Sequence, residues 1–481
     1  MRRTFAWLVG LWEGQRVPLT THSSPGSSGG EKPVRWRTVP ALCVFWLWLA
    51  YTCASGAQST GQAPILTLDS AVEISLANNR GLRISSLDVE KSKWQVASAK
   101  TRLLPSFSSY LFGSGTLTDS SFTFKRGSLG VLDGKPIPSK NEMIPLSSGM
   151  TGYAVAGLAQ PLTHLYRLHL FVREQELSSD INSEQLRARR QSLIANVKQA
   201  YYAVLQTESA LEANQAAVNQ YEETDRVTKQ YLAQEAVLKS DSLEVEAKLA
   251  QAKYQTIQLQ NNLLTQKEQL NDLLGRDIET DFRTQPVPTE SAEETDLKVA
   301  QQTALAQRPE IREAEISLKT AEYDKKIAKS QYIPDISAAL HYFTPLNTEI
   351  LPTNVAAAGL EMNWEPFEWG RRRDDVKQKA ITVEQSEYQL AQARSQVLLD
   401  VNSRYRQLAQ SRQLLVVTEA ARNAANEKLR EVSQKYSTEA VLLRDVLQQQ
   451  AAVANANHDY EEALLSFWTA RANFEKALGQ D

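Results

Sequence analysis

The chain has 481 residues, of which 42% are hydrophobic, 8% aromatic and 23% charged, and its formal net charge is −3. A mildly acidic composition provides no extended basic surface for phosphate groups, so we expect no nucleic-acid partner. The length would suit about three globular domains. Repeats within the chain instead predict a single extended architecture.

Residues 1–57 differ from the rest of the chain. Positions 20–30 are rich in Ser, Gly and Thr without an apolar period, so we expect them to be disordered. Basic residues then precede an apolar run at 41–51, and small residues follow it, which is the pattern of a secretory signal peptide. The run is too short for a membrane-spanning helix. Because the signal begins well inside the chain, we predict that translation starts downstream of Met1, at an alternative codon.

Both cysteines of the chain, Cys43 and Cys53, lie in this leader. The remainder is therefore predicted to have no disulfide and no thiol chemistry. Lipid attachment at Cys53 is left open, although residues 50–52 match poorly the small-residue pattern that such sites need.

From Leu68 onward the chain repeats itself. Residues 68–105 match residues 297–334 at an offset of 229 positions, and residues 235–275 match residues 439–479 at an offset of 204. Ungapped matches of this length indicate a duplicated chain. The predicted domains are a disordered leader with a signal peptide at 1–57, a first repeat at 58–275, a linker at 276–296 and a second repeat at 297–481.

Each repeat has the same predicted order of elements. A short helix and a longer helix lead into two strands, which are followed by a very long helix, a tight tip and a return helix. The segment at 127–145, between the first two strands, is rich in Gly, Ser, Pro and Lys and is expected to be a solvent-exposed loop. The predicted strands lie at 106–116, 151–160, 335–343 and 355–365.

The long helices carry an apolar rhythm with a period of seven residues. This period, together with many alanines, predicts closely packed left-handed coiled coils. The rhythm comprises Val197, Val204, Leu211 and Val218 in the first long helix, and Leu243, Ala247, Ala250, Tyr254 and Ile257 in its return helix.

The joint between the last predicted strand and the second long helix is aromatic and basic. Leu360 and Met362 alternate with polar residues, which predicts a two-faced strand. Pro366 suits the first turn of the helix that follows, which is predicted to continue to about residue 435. Indole rings and cations both settle at membrane surfaces. The predicted membrane-interface anchor is Trp364, Phe367, Trp369 and Arg371; the plain alternative is a strand–helix corner with surface tryptophans.

The predicted strands carry a physical argument about assembly. Four strands of about 10 residues each are long enough to cross a bilayer when tilted. An open four-stranded sheet in lipid would leave two edges unpaired, and closed membrane barrels need at least about 8 strands. Several chains must therefore pool their strands, with the long helices forming a tube on the same axis. Such an assembly is a conduit.

No pattern of catalytic or ligand-binding residues accompanies this architecture. The sequence has no Gly-rich phosphate loop and no CxxC or HExxH motif, and its five histidines are scattered. We therefore expect a protein that is not an enzyme, with no cofactor and no metal site.

These residues resemble the TolC-type outer-membrane efflux proteins over nearly all of 66–479. The resemblance is carried by the Leu…Ala…Leu-Ala openings of both repeats, the Leu-Pro and Ile-Pro strand starts, the Trp-Glu-Pro-Phe-Glu-Trp-Gly-Arg stretch at 364–371 and the paired tips. It implies a mixed α and β membrane protein, mostly long coiled-coil helices. Four strands per chain would contribute to a 12-stranded trimeric transmembrane barrel, continuous with an α-helical barrel.

The resemblance also implies a function and partners. The protein would be the outer-membrane channel, or efflux duct, of a tripartite export system, passively conducting small molecules or proteins to the exterior. Its partners would be two further copies of itself, a periplasmic adaptor (membrane fusion protein), an inner-membrane transporter and outer-membrane lipid, with a large portion in the periplasm. The adaptor would dock at tips spanning 231–241 and 436–445, through Glu235, Ala236, Val237, Leu238, Glu439, Ala440, Val441 and Leu442.

Two alternatives to small-molecule efflux stay open. A periplasmic coiled-coil adaptor or scaffold would account for the helices and the export signal, but not for four alternating strands. A duct dedicated to protein secretion has the same sequence requirements.

In the family, acidic residues just past the second tip constrict the tunnel. Aligned on the second tip, the first acidic position falls on Asp445 and the second on Gln448, while Val441 replaces an Arg tether. Three Asp445 carboxylates in a ring would repel each other and attract cations. The alternative is that Asp445 and its counterpart Asp241 are simply N-terminal helix residues, which the helix dipole favours.

Overall fold

The computed structural model describes residues 64–115, 120–146, 150–235, 238–287, 296–346, 352–438, 440–441 and 443–480. The predicted leader and signal peptide lie outside these residues.

Helices dominate the described chain, and their lengths recur between its halves. The first pair has 11 and 22 residues, as does its counterpart, and both return helices have 36. No helix in the described ranges is both apolar enough and long enough to cross a membrane. The helices are α1 (Leu68–Asn78), α2 (Arg80–Thr101), α3 (His164–Ala233), α4 (Lys239–Leu274), α5 (Leu297–Gln307), α6 (Pro309–Ser330), α7 (Arg371–Ser437) and α8 (Leu443–Leu478).

Local sequence fixes the break between α1 and α2. Thr67 caps α1 by accepting a hydrogen bond from the Ser70 amide, and the Ser70 hydroxyl closes a capping box. Asn79 then caps α2 by accepting from the Leu82 amide, and its side-chain amide donates to the Leu273 carbonyl at the end of α4. The break is therefore held both by its own cap and by the return helix.

The predicted strands form one antiparallel sheet. They are β2 (Ser106–Gly115), β7 (Met150–Pro161), β9 (Asp335–Leu346) and β10 (Val355–Asn363), and their order across the sheet is β10-β9-β7-β2. Each lies within three residues of its predicted bounds. The outer strands β2 and β10 each pair on one side only among the described residues, so each leaves an edge of backbone N–H and C=O groups without a strand partner.

The segment predicted as a plain loop between β2 and β7 contains further strands. β3 (Ser120–Phe124) pairs with β6 (Glu142–Leu146), and β4 (Val131–Leu132) pairs with β5 (Lys135–Pro136). The content of Gly, Ser, Pro and Lys predicted an exposed loop and gave no sign of these strands, which have only five or two residues each.

The described part of the segment predicted as a linker reaches the core through one residue. β8 (Arg283–Thr284) pairs in parallel with β1 (Ile65–Leu66), and the neighbouring Phe282 is fully buried. Tyr201 of α3 is also fully buried, and its hydroxyl accepts from the Gln285 amide at 2.8 Å and lies 2.9 Å from the Leu66 carbonyl. This tyrosine joins the start of the first repeat, the linker and the long helix.

The helical hairpins bury one apolar stripe and expose another. Val197 and Val204 of α3 are fully buried, as the seven-residue rhythm predicts. On α4, however, Tyr254 and Ile257 are more than half exposed, and the helix packs on α3 through the adjacent stripe. There Ala252 is buried and its carbonyl accepts from the Asn214 side-chain amide. The predicted α4 stripe therefore forms an apolar surface that this chain alone does not cover.

We expect Tyr201→Phe to lower the free energy of unfolding by about 1–3 kcal/mol, because the hydroxyl of this fully buried tyrosine would lose its contacts with the Leu66 carbonyl and the Gln285 amide. The measurement is the thermal midpoint. Tyr405→Phe is the matched control, since Tyr405 occupies the equivalent position of α7, and no described residue forms a hydrogen bond with its hydroxyl. Equal midpoints for the two variants would contradict the role assigned to Tyr201.

Candidate functional site

The register of the sheet separates an apolar face from a polar face. Strand pairing places Tyr110 beside Val155, Val155 beside Phe343, and Phe343 beside Val355. These residues, and every second residue along each strand, lie on the polar face, and the residues between them lie on the apolar face. The apolar face carries Phe107, Leu111, Leu158, Leu340, Leu360 and Met362, all exposed. The polar face carries Ser108, Tyr110, Tyr153, His341 and Glu361, with Phe112, Val155, Phe343 and Val355 between them.

Two features of the polar face were not predicted. His341 Nε2 lies 2.7 Å from Glu361 Oε1, although the two residues are on different strands. One layer away, the Tyr153 ring contacts Phe112 and Phe343, with ring centroids 5.3 and 5.9 Å apart. The alternation within each strand was visible in the sequence, but these partners depend on the register between strands.

The joint before α3 is tied to the other half of the chain. The Thr163 hydroxyl donates to the Pro334 carbonyl at 2.6 Å and accepts from the Ile336 amide at 2.8 Å. Arg167 Nη2 donates to Asp335 Oδ1 at 3.0 Å. The start of the long helix is therefore fixed to the start of β9.

The joint before α7 presents the predicted aromatic anchor. Trp369 is 89% exposed, Phe367 is 70% exposed, and their ring centroids are 4.8 Å apart. Trp364 is also exposed. The helix begins at Arg371 and not at Pro366, because Trp369 and Gly370 have φ angles of 52° and 90°, which a right-handed helix excludes. Holding a tryptophan in this conformation costs roughly 1–2 kcal/mol, and it directs the indole into solvent.

The arginines of this joint are already paired within the chain. Glu368 lies 2.6 Å from Arg371 and 2.8 Å from Arg372, and Arg373 lies 3.2 Å from Asp374. The aromatic rings, and not free cations, are therefore the part of the predicted anchor that is available for contact.

The tips are shorter than predicted. α3 continues through Tyr231 to Ala233, and α4 begins at Lys239, so the first connection covers 234–238. Glu235 adopts a left-handed conformation (φ 58°), and Leu238 is 69% exposed. The second connection covers 438–442, in which Ala440 is exposed and Val441 half-buried. Four of the predicted docking residues lie outside the described ranges: Ala236, Val237, Glu439 and Leu442.

The predicted constriction residues lie at the start of α8. Asp445 falls in the first turn of this helix and is half-buried, and Gln448 is exposed. Asp241 occupies the same position in the first turn of α4. Both interpretations of Asp445 thus begin from the same local geometry, and they differ only in what several copies would do together.

Comparison with known proteins defines the class. The sequence matches the family described as "Outer membrane efflux protein" over residues 71–276 and 300–480, and the chain belongs to this family. The predicted family and outer-membrane location are thereby confirmed. A curated relative, the probable efflux pump outer membrane protein TtgC of Pseudomonas putida, is 25% identical over 277 residues. This match covers 56% of the present chain and 52% of the relative, so the chain matches about half the length of that protein.

Solved structures confirm the fold. The CmeC outer membrane channel of Campylobacter jejuni has a TM-score of 0.70 and 16% identity, covering 86% of this chain and 85% of that one. The open-state MtrE outer membrane channel of Neisseria gonorrhoeae has a TM-score of 0.68 and 20% identity, with 86% and 89% covered. The predicted combination of long helices with a strand sheet is therefore the TolC-type fold.

Two glutamates of α3, about three turns beyond the start of the helix, predict opposite responses to pH. Burial, and then the nearby Asp324 carboxylate, raise the pKa of Glu174. A hydrogen bond from Lys100, at 2.9 Å, is the main cause that lowers the pKa of Glu176. A carboxyl group whose pKa is raised by folding stabilises the fold only at low pH, and this contribution is lost as Glu174 ionises. A carboxyl group whose pKa is lowered by folding stabilises the fold at neutral pH, and this contribution is lost as Glu176 becomes protonated.

We therefore expect Glu174→Gln to raise the thermal midpoint at pH 7.5, with a gain that shrinks toward pH 4. Glu176→Gln should instead lower the midpoint at pH 7.5, and the loss should fade toward pH 4. Because the two residues lie on the same helix, each variant is the control for the other. Shifts of the same sign at neutral pH would contradict this assignment.

Proposed function

We propose that the chain is a subunit of an outer-membrane efflux duct that passively conducts small molecules or proteins delivered by an inner-membrane transporter. The observation that carries this proposal is the sheet, which is apolar on one face and polar on the other. A wall with these faces suits the boundary between lipid and a water-filled lumen. The sheet leads directly into α3 and α7, of 70 and 67 residues, which at about 1.5 Å per residue extend for roughly 100 Å each.

The open edges support assembly as a homotrimer. In lipid, unpaired backbone groups along β2 and β10 would each cost several kcal/mol, so the sheet needs neighbours on both sides. Three copies of four strands would provide 12, more than the minimum of about 8 for a closed membrane barrel. The exposed apolar stripe of α4, with Leu243, Tyr254 and Ile257, supplies a matching helical contact between copies.

The partners follow from the two ends of the helices. The sheet end would contact outer-membrane lipid, and the tips would dock onto a periplasmic adaptor, or membrane fusion protein, with Leu238 as an exposed apolar contact. A coiled-coil scaffold would use the same helices, but it would have no use for the exposed apolar face of the sheet. The two-faced sheet therefore favours the duct.

Purified protein reconstituted in planar bilayers should give discrete conductance steps. If Asp445 carboxylates line a constriction, Asp445→Ala should lower the cation-over-anion permeability ratio by roughly twofold or more. The measurement is the reversal potential in a salt gradient.

Asp241→Ala is the matched control, because Asp241 lies in the first turn of the other return helix. It should leave the permeability ratio unchanged. Equal changes in both variants would favour the helix-dipole interpretation of Asp445, and an absence of conductance steps in the wild-type protein would contradict the duct itself.

The aromatic anchor has its own test. In vesicles of brominated phospholipid, which quenches tryptophan fluorescence on contact, Trp369→Phe should reduce the quenched fraction because it removes the most exposed indole of the joint. Trp94→Phe is the control, since Trp94 is 70% exposed but lies on α2. A loss of quenching for Trp94→Phe, with none for Trp369→Phe, would place the membrane surface elsewhere.

A further inference from the structure

Four aromatic rings from three strands meet on the polar face of the sheet. The Tyr153 ring is central, and its centroid lies 5.3 Å from that of Phe112, 5.9 Å from that of Phe343 and 6.0 Å from that of Tyr110. The planes of these three rings are inclined to the Tyr153 ring by 33°, 34° and 40°. The four rings therefore form one contiguous surface, the aromatic patch.

The aromatic patch is accessible. Tyr110 is 56% exposed and Phe112 is 40% exposed, and the other two rings are half-buried. Along β2 the patch is flanked on the same face by Ser108 and Ser114. Aromatic surface in contact with water is unfavourable, so a ligand that covers these rings gains free energy by removing them from water.

The second strand pair shows that facing rings are not needed to build the sheet. Continued into the strands, the offset of 229 between the repeats aligns Phe112 with His341. The strand partner of Phe112 is Tyr153, whereas the partner of His341 is Ala357. The pair of β9 and β10 therefore forms with a small residue where the first pair has an aromatic ring. Sheet formation alone does not account for the patch.

The faces of the patch are not covered by cations of the chain itself. Elsewhere the chain pairs several rings in this way: Arg422 lies 3.8 Å from the centroid of Tyr460, and Lys326 lies 4.8 Å from that of Tyr323. Among the residues that the structure describes, no Lys or Arg lies over any of the four rings of the patch. The negative potential of an aromatic face attracts cations, so the patch offers this interaction to a solute.

We propose that the aromatic patch binds small organic cations with a planar aromatic body during their passage through the duct. The aromatic body covers the rings, and the positive charge interacts with their faces. This inference rests on the proposed function, in which the polar face lines the lumen. Tyr153 lies eight residues before the end of β7, so the patch is roughly 25 Å along the strand from the joint to α3. A solute that arrives through the helices would reach it in the last part of its path.

The test is equilibrium dialysis of the full chain in a neutral detergent at neutral pH, with binding to detergent alone subtracted. The probe is N-methylquinolinium, a planar aromatic cation. Quinoline is the matched aromatic molecule without a charge, and tetramethylammonium is the cation without a ring. N-methylquinolinium should bind saturably, and the other two should bind at least about fivefold more weakly.

The decisive variant is Tyr153→Leu, which removes the central ring and keeps an apolar side chain. It should weaken binding of N-methylquinolinium by about fivefold or more, whereas Tyr153→Phe, which keeps the ring, should retain affinity within about twofold. Phe107→Leu is the matched control, because Phe107 is 73% exposed but lies on the apolar face of the same sheet, and it should leave affinity unchanged. If Tyr153→Leu lowers the thermal midpoint, Tyr110→Leu on the outer strand β2 provides a second loss of a ring.

Three results would overturn the inference. The first is the absence of saturable binding of N-methylquinolinium to the wild-type chain up to about 10 mM. The second is equal affinity for quinoline, which would remove the cation from the ligand. The third is binding that Tyr153→Leu and Tyr110→Leu leave unchanged in folded protein, which would place the ligand elsewhere. Dialysis does not depend on conductance, so this inference and the proposed function can fail separately.

Discussion

The open edges of the four-stranded sheet are the constraint on which the rest of the structure depends. Within one chain, β2 and β10 each lack a partner on one side, while the apolar face between them exposes leucine, phenylalanine and methionine side chains. Water can satisfy the edges but disfavours the apolar face, and lipid accepts the face but cannot satisfy the edges. Closure with further copies removes both difficulties together. The sheet therefore needs neighbouring strands in lipid, and this need is the physical argument for the proposed trimer.

Two joints connect this sheet to the long helices, and each joint is held by different side-chain contacts. Before α3, Thr163 and Arg167 bind the backbone and Asp335 of the other half of the chain. Before α7, the chain turns through a left-handed Trp369, and Glu368 holds the arginines that follow. Equivalent positions of the two halves thus differ: one joint ties the halves together, and the other presents an exposed aromatic surface.

Elements governed by local pattern were predictable from the sequence. Alternation located the four strands, the seven-residue rhythm located the buried valines of α3, and prolines marked the joints between strands and long helices. Features that depend on distant pairing were not predictable. The burial of Phe282 needs the parallel pair of β1 and β8, which are separated by more than 200 residues, and two-residue strands carry no period. The His341–Glu361 contact needs the strand register. On α4, the seven-residue rhythm selected the stripe with Tyr254 and Ile257, whereas the helix packs on α3 through the stripe with Ala252.

The central claim is that the sheet is completed by other copies of the same chain. Its most direct test is the mass of the protein extracted from the outer membrane in a mild, neutral detergent, measured by light scattering with the detergent contribution subtracted. The account predicts a stable species of three chains. A folded single chain under these conditions, or recovery of the protein only from the soluble fraction, would contradict it, because the edges of the sheet would then have no partner.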